Sequence, residues 1–225
     1  MGLLYVVATP IGNLGDFSPR AIAALSEAQL VLCEDTRVTR KLLTHFEIKS
    51  QTTSYHEYTG PSKLRALVAR ITAGETMALV SDAGTPGISD PGAHFVTELV
   101  REAGSAVKIV PIPGPSAIAT LLSVSGLAAG SFVFQGFPPH KKGRTAFWKQ
   151  IADEERTSVF YESPHRVEKA MTELSALCDG DRKIVIGREL TKMFESVRYG
   201  KMKDASELLK SEPIKGEYVI AVEGR

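Results

Sequence analysis

The chain has 225 residues, 43% of them hydrophobic and 24% charged, a composition that buries a core and rules out disorder throughout. The formal net charge of +1 argues against a protein that coats nucleic acid by bulk charge, so any nucleic-acid contact must come from a local patch. Its two cysteines, Cys33 and Cys178, form no Cys-x-x-Cys pair; neither a disulfide framework nor a zinc site is expected, and both read as small core thiols in a reducing compartment.

The first apolar run, residues 3–8, reads as a strand. It is too short for a signal-peptide core, no basic segment precedes it, and Pro10 and Gly12 follow at once. No stretch approaches the ~20 apolar residues of a membrane helix, so a soluble, cytoplasmic protein is expected. Ser18-Pro19 caps and starts a helix through Ala28. A strand at 30–33 follows, then a helix capped by Ser62 that ends before Gly74, then a strand at 77–80. Pro91 opens a helix to Ala103, Gly104 closes it, and residues 107–112 are the next strand. A helix begins at Ser116, with strands at 132–134 and 158–161 after it. Pro164 opens a helix whose apolar positions are Val167, Ala170, Met171 and Leu174. Strands at 183–186 and 218–222 complete the pattern. Alternating strand and helix predict an α/β fold, and the apolar strands predict sheets covered on both faces. The turn-rich Ile112-Pro113-Gly114-Pro115 divides the chain into domains 1–112 and 113–225.

Three turn-rich loops each follow a predicted strand. They are residues 9–16, residues 81–92 (dense in Gly, Pro, Ser and Asp), and Pro113-Gly114-Pro115-Ser116-Ala117. In open α/β sheets ligands bind beyond the carboxyl ends of strands, where glycine lets them approach the backbone. Three such loops point to one shared pocket. Gly-x-Gly-x-x-Gly, Gly-x-x-x-x-Gly-Lys-Ser/Thr, Gly-x-Ser-x-Gly and the glycine-rich loop of Rossmann-type methyltransferases do not occur. Histidines are few and unpaired, so no metal site is expected.

The string Ala8-Thr9-Pro10-Ile11-Gly12-Asn13-Leu14-Gly15-Asp16 resembles the opening of the ribosomal RNA small subunit methyltransferase I family, an RNA-directed branch of the tetrapyrrole-methylase superfamily. Further matches follow in order: Glu34-Asp35-Thr36-Arg37, residues 81–92, Pro113-Gly114-Pro115-Ser116-Ala117, Gly136-Phe137-Pro138-Pro139, residues 160–166, Arg188-Glu189-Leu190-Thr191-Lys192 and Gly216-Glu217-Tyr218. The resemblance spans essentially the whole chain. It implies two α/β domains of tetrapyrrole-methylase (class III methyltransferase) type, with S-adenosylmethionine (SAM) in the cleft between them, and a homodimer. The implied reaction is 2′-O-methylation of a cytidine ribose in the decoding region of small-subunit (16S) ribosomal RNA. Family members often carry a small helical extension after the last strand; the sequence here stops at Glu223-Gly224-Arg225.

The resemblance places Pro10, Asp82, Gly84, Thr85, Ser116 and Ala117 against the cofactor. Asp82 suits its ammonium group, and backbone N–H groups suit its carboxylate. Tyr161 and Glu162, past a strand of the second half, would close over the adenosine. On the acceptor side the donor is already activated, so positioning and removal of the hydroxyl proton carry the rate. Glu34, Asp35, Glu162, His165 and Glu189 are candidate bases. Arg37, Arg166, Arg188 and Lys192 would hold phosphates or orient carboxylates, although all of these residues equally suit a structural ion-pair network. The densest basic run, His140-Lys141-Lys142-Gly143-Arg144, is expected as an exposed loop in which Lys141, Lys142 and Arg144 meet RNA phosphates. Two alternatives stay open: a methylase of a small acceptor such as a tetrapyrrole, and a non-catalytic SAM-binding module.

Overall fold

The computed structural model describes residues 1–56, 59–90, 92–210 and 213–225. It divides into two compact units, Met1–Ser116 and Ala117–Arg225; the division falls after Ser116, four residues beyond the boundary expected at Ile112.

Unit 1 is built on β1 (Gly2–Val7), α1 (Pro19–Glu27), β2 (Leu30–Cys33), α2 (Thr36–His45), β3 (Gln51–Ser54), α3 (Pro61–Thr72), β4 (Thr76–Leu79), α4 (Gly92–Ala103) and β5 (Val107–Ile112). All strands are parallel, in the order β3-β2-β4-β1-β5. Side-chain alternation sends Leu4, Leu30, Leu32, Met77, Leu79 and Val107 to one face, against Leu64, Leu67, Val68 and Ile71 of α3 and Phe95 and Leu99 of α4. Val7, Val31, Cys33, Ala78 and Ile112 face the other way, against Ala21, Ala24 and Leu25 of α1 and Leu43 of α2. The chain therefore leaves β1 and β2 toward one face and leaves β4 toward the opposite face. Where neighbouring connections part in this way, a crevice opens at the carboxyl ends of the strands. The loop after β4 lies in that crevice, flanked by the loops after β1 and β2.

Unit 2 consists of α5 (Ala117–Ser125), β6 (Phe132–Phe134), α6 (Arg144–Asp153), β7 (Thr157–Glu162), α7 (Val167–Ser175), β8 (Lys183–Arg188), β9 (Ser196–Lys201), α8 (Ala205–Lys210) and β10 (Tyr218–Val222). Its sheet, β6-β7-β10-β8-β9, is mixed: β6 and β7 run parallel and the remaining pairs are antiparallel. One face buries Phe160, Ile184, Ile186, Ile220 and Val222 under Trp148 and Ile151 of α6 and Val167, Ala170, Met171 and Leu174 of α7. α5 packs closely on the sheet because Gly187 has no side chain; a Cβ there would lie 2.8 Å from a methyl of Leu121.

Several expectations are corrected. β3 (Gln-Thr-Thr-Ser) and β9 (Ser-Val-Arg-Tyr-Gly-Lys) lie at sheet edges, where polar residues serve, and so carry no apolar run. Gly60 and not Ser62 caps α3, with Pro61 in the first turn. Pro164 sits in a turn, and α7 begins at Val167 after Arg166. Pro91 lies outside the described residues. No helix among the described residues is long and apolar enough to cross a membrane.

Candidate functional site

At the carboxyl end of β4 the loop is tied to its neighbours by short hydrogen bonds. Thr9 and Gly84 exchange backbone bonds of 2.9 and 3.1 Å, joining the loops after β1 and β4. The Thr9 hydroxyl donates to the Ser81 carbonyl at 3.1 Å, and the Ser81 hydroxyl donates to the Gly84 carbonyl at 3.1 Å. The Thr85 hydroxyl donates to the Pro115 carbonyl at 3.1 Å, bringing in the loop after β5. Gly84 has φ +84°, a conformation that glycine adopts without strain. Gly114 lies so close to Ala8 that a Cβ on it would be 2.9 Å from the alanine methyl. Among the expected cofactor residues, Pro10, Asp82, Gly84, Thr85 and Ser116 thus share one end of the unit 1 sheet. Ala117 opens α5 in unit 2.

The loop after β2 joins the same end. The Asp35 backbone N–H donates to Asp82 Oδ1 at 3.0 Å, and the Asp82 N–H donates to Glu34 Oε1 at 3.4 Å. Burial raises the Glu34 pKa, the Asp82 N–H works against that rise, and the charges of Asp82 and Asp90 add to it. Asp35 behaves oppositely. It caps α2 through the Arg37 N–H at 2.8 Å and takes the Arg37 guanidinium at 2.6 Å, and these bonds bring its pKa down to about 2. A carboxylate so engaged is a poor proton acceptor, whereas the half-buried Glu34 carboxylate holds its proton more tightly than a free one. The Asp90 carboxylate holds the loop by accepting the N–H groups of Gly87 and Gly92 at 2.7 and 2.8 Å.

Because the folded-state pKa of Glu34 lies above its unfolded value, the native state holds that proton more tightly. The stability it contributes is full below the unfolded value and is lost as pH rises through the raised folded value. Glu34→Gln keeps an acceptor for the Asp82 N–H and removes the buried charge. The variant should be more stable than the parent at neutral pH, with the difference vanishing toward pH 4. Thermal unfolding across pH measures this, and a variant less stable at neutral pH would contradict it.

In unit 2, Tyr161 and Glu162 are the last residues of β7, which extends one residue past each end of the expected strand 158–161. The Glu162 side chain is fully buried and accepts the Ser163 N–H at 2.7 Å and Arg166 Nη2 at 3.1 Å. Its other oxygen lies 3.7 Å from Arg144 Nη1. Buried between guanidiniums, Glu162 serves as an anchor and is poorly placed to act as a base. Tyr161 is half-buried, and its pKa is pushed up to about 12 by burial and by the charge of Glu217. His165, four residues on, is exposed. Arg144 corrects the sequence reading. It is not a surface cation: its side chain is 8% exposed, paired with Glu173 at 2.5 Å, bonded to the Pro139 carbonyl and seated 5.0 Å over the Trp148 ring. Apolar neighbours on α6 bury it, which a basic run in sequence conceals. Lys141 and Lys142 are exposed as expected.

Lys192 bridges Glu189 at 2.9 Å and Glu217 at 3.0 Å. Burial disfavours its charge, but the two carboxylates outweigh burial and raise its pKa, so it stays a cation. Glu189 and Thr191 both have positive φ, 50° and 68°, a costly arrangement for residues with side chains, often found at functional sites. The Arg188 guanidinium donates to the Lys215 carbonyl at 2.7 Å. Sequence reasoning missed Thr9, Ser81 and Asp90, whose bonds shape the crevice; Thr, Ser and Asp are too common in turns to stand out.

A family model described as tetrapyrrole (corrin/porphyrin) methylases matches residues 3–206. A protein of Synechocystis sp. named "Ribosomal RNA small subunit methyltransferase I" is 44% identical over 100% of this chain and 80% of its own length. One of the same name from Vibrio cholerae is 48% identical over 87% of this chain and 67% of its own. Among solved structures, a uroporphyrin-III-C-methyltransferase from Thermus thermophilus shares the fold with TM-score 0.68 at 18% identity, covering 99% of this chain and 94% of that one. A cobalt precorrin-4 methyltransferase gives 0.71 at 15% identity, covering 98% and 94%. With the sequence motifs, the crevice and these likenesses in agreement, the chain belongs to the ribosomal RNA small subunit methyltransferase I family of the tetrapyrrole methylases.

Proposed function

We propose that this chain transfers a methyl group from SAM to the ribose 2′-hydroxyl of a cytidine in the decoding region of 16S ribosomal RNA. The observation that carries the reading is the crevice loop after β4, bonded to the loops after β1, β2 and β5. The names of full-length relatives at 44% and 43% identity support the RNA acceptor. The homodimer and the cytoplasmic location rest on the family resemblance.

The residues present fit SAM. Gly114 leaves exposed backbone where a Cβ would clash with Ala8, Gly84 takes its positive φ without strain, and the exposed Asp82 carboxylate suits an ammonium group. Bound there, SAM supplies an electrophilic methyl on a sulfonium. Pro10, Gly84, Thr85 and Ser116, which share one end of the unit 1 sheet, hold the ligand; roles for Ala117 and Tyr161 are implied by the family resemblance alone. Glu34 accepts the hydroxyl proton, its raised pKa bringing it closer to neutral pH. Asp35 and Arg37 position the start of α2, Glu162 holds Arg166 and the Tyr161 end of β7, His165 lies next to the acceptor, and Lys192 fixes the loop after β8.

The deciding experiment incubates small-subunit RNA, free or in assembled subunits, from cells lacking the gene with the protein and labelled SAM, and maps the modified nucleotide. Label on a cytidine ribose supports the proposal. Label absent from RNA but present on an added tetrapyrrole overturns it. Lys141 and Lys142 are the candidate RNA contacts. Each phosphate contact to single-stranded RNA contributes about −0.7 to the slope of log affinity against log salt. Replacing both by alanine should therefore flatten the slope by roughly 1.4 units without changing the nucleotide selected. Coinciding slopes would move the contact toward Arg37, which is 86% exposed, and Arg40.

A further inference from the structure

Phe137 is a large aromatic side chain left 53% exposed in the loop three residues past β6. Its ring centroid lies 5.2 Å from that of Tyr161, tilted by 47°, and Tyr161 packs in turn 5.1 Å from Phe134, edge to face. The three rings form a continuous row whose outermost member has a free face. An exposed phenylalanine is ordinarily costly, and this one is held in place. Gly136 turns the chain at φ 69° and Gly143 at φ 87°. Pro138 between them is buried, and the buried Arg144 guanidinium grips the Pro139 carbonyl at 3.1 Å. Three to five residues after Phe137, on the same short segment, stand the exposed His140, Lys141 and Lys142.

An aromatic face beside clustered cations is the chemistry that receives an unpaired nucleotide: the ring stacks on the base while the lysines meet its phosphates. We propose that Phe137, backed by Tyr161, is a stacking platform for an unstacked base of single-stranded RNA, with Lys141 and Lys142 on the adjoining phosphates. This deepens the RNA reading above and rests on it. It specifies that the protein takes its substrate as an unpaired strand, and that part of the affinity is insensitive to salt.

The test measures binding of a fluorescent, unstructured oligoribonucleotide across a salt series, with SAM titrated separately. Stacking on one aromatic side chain contributes enough that Phe137→Ala should weaken RNA binding by roughly tenfold or more, with the salt slope unchanged. Phe137→Leu should be equally weak, and Phe137→Trp should restore binding and show fluorescence quenching on RNA addition. Lys141→Ala with Lys142→Ala should change the slope instead. SAM affinity should hold for every variant. RNA affinity unchanged in Phe137→Ala, or recovered in Phe137→Leu, overturns the platform while leaving the RNA reading intact. Loss of SAM binding in Phe137→Ala overturns it in favour of the cofactor's adenine as the stacked ring. A parent protein that binds SAM but no unpaired RNA overturns the platform, while the RNA acceptor stands or falls separately on labelling of the small subunit.

Discussion

Arg144→Ala should strongly destabilise unit 2. The guanidinium is 8% exposed and faces Glu162, whose side chain has no exposed surface, and Glu173. Removing the guanidinium leaves the buried Glu162 with Arg166 alone and Glu173 with Lys169 and the Trp148 N–H, at a cost near the low end of the range for breaking a buried ion pair, about 3 kcal/mol. Loss of the Trp148 and Pro139 contacts adds to that cost. For a unit of this size the unfolding midpoint should fall by ~10–20 °C. Arg144→Lys should recover little, because an ammonium cannot bond Glu173 and the Pro139 carbonyl while lying flat over an indole. Lys141→Ala, three residues earlier, should leave the midpoint unchanged. Scanning calorimetry makes the comparison. A loss for Arg144→Ala below about 1 kcal/mol, the value of an exposed pair, would mean that water reaches these carboxylates.

The largest loss of cofactor affinity is expected at Asp82. Its Oδ1 accepts the Asp35 N–H at 3.0 Å, so the carboxylate both braces the loop after β2 and, in the proposed function, pairs with the cofactor's ammonium group. Losing a charge-assisted partner costs about 1.5–3 kcal/mol, a tenfold to hundredfold loss of affinity. Asp82→Ala should therefore weaken SAM binding by that factor, while Asp16→Ala, in an exposed turn after β1, should not. Asp82→Asn separates the two roles. Its amide oxygen still accepts the Asp35 N–H but carries no charge. If the charge recognises the cofactor, Asn binds as poorly as Ala. If bracing is the whole role, Asn binds as the parent does, and the assignment of Asp82 to the ammonium group fails. Titration calorimetry of the four proteins decides.

Sequence alone determined what depends on local chemistry. Ser18-Pro19 specifies its helix start because the Ser18 side chain accepts the Ala21 N–H whatever surrounds it. Apolar runs such as Leu30–Cys33 specify strands because a sheet covered on both faces leaves no polar side to betray a different register. The long motifs at 8–16 and 81–92 specified the family, since the order of residues along a loop needs no fold to be read. Tertiary structure decided what depends on neighbours far along the chain. Thr9 and Ser81 join the crevice only when β1 and β4 lie side by side, 72 residues apart in sequence. The polar β3 and β9 are strands because a sheet edge offers them hydrogen-bond partners, a fact their composition does not carry. Glu34 and Asp35 are adjacent acids, yet burial raises one pKa and an arginine lowers the other. In the basic run, helix periodicity turned Arg144 inward onto Trp148 and left Lys141 and Lys142 in solvent. Charge is written in the sequence, but which side of the protein surface it occupies is set by packing.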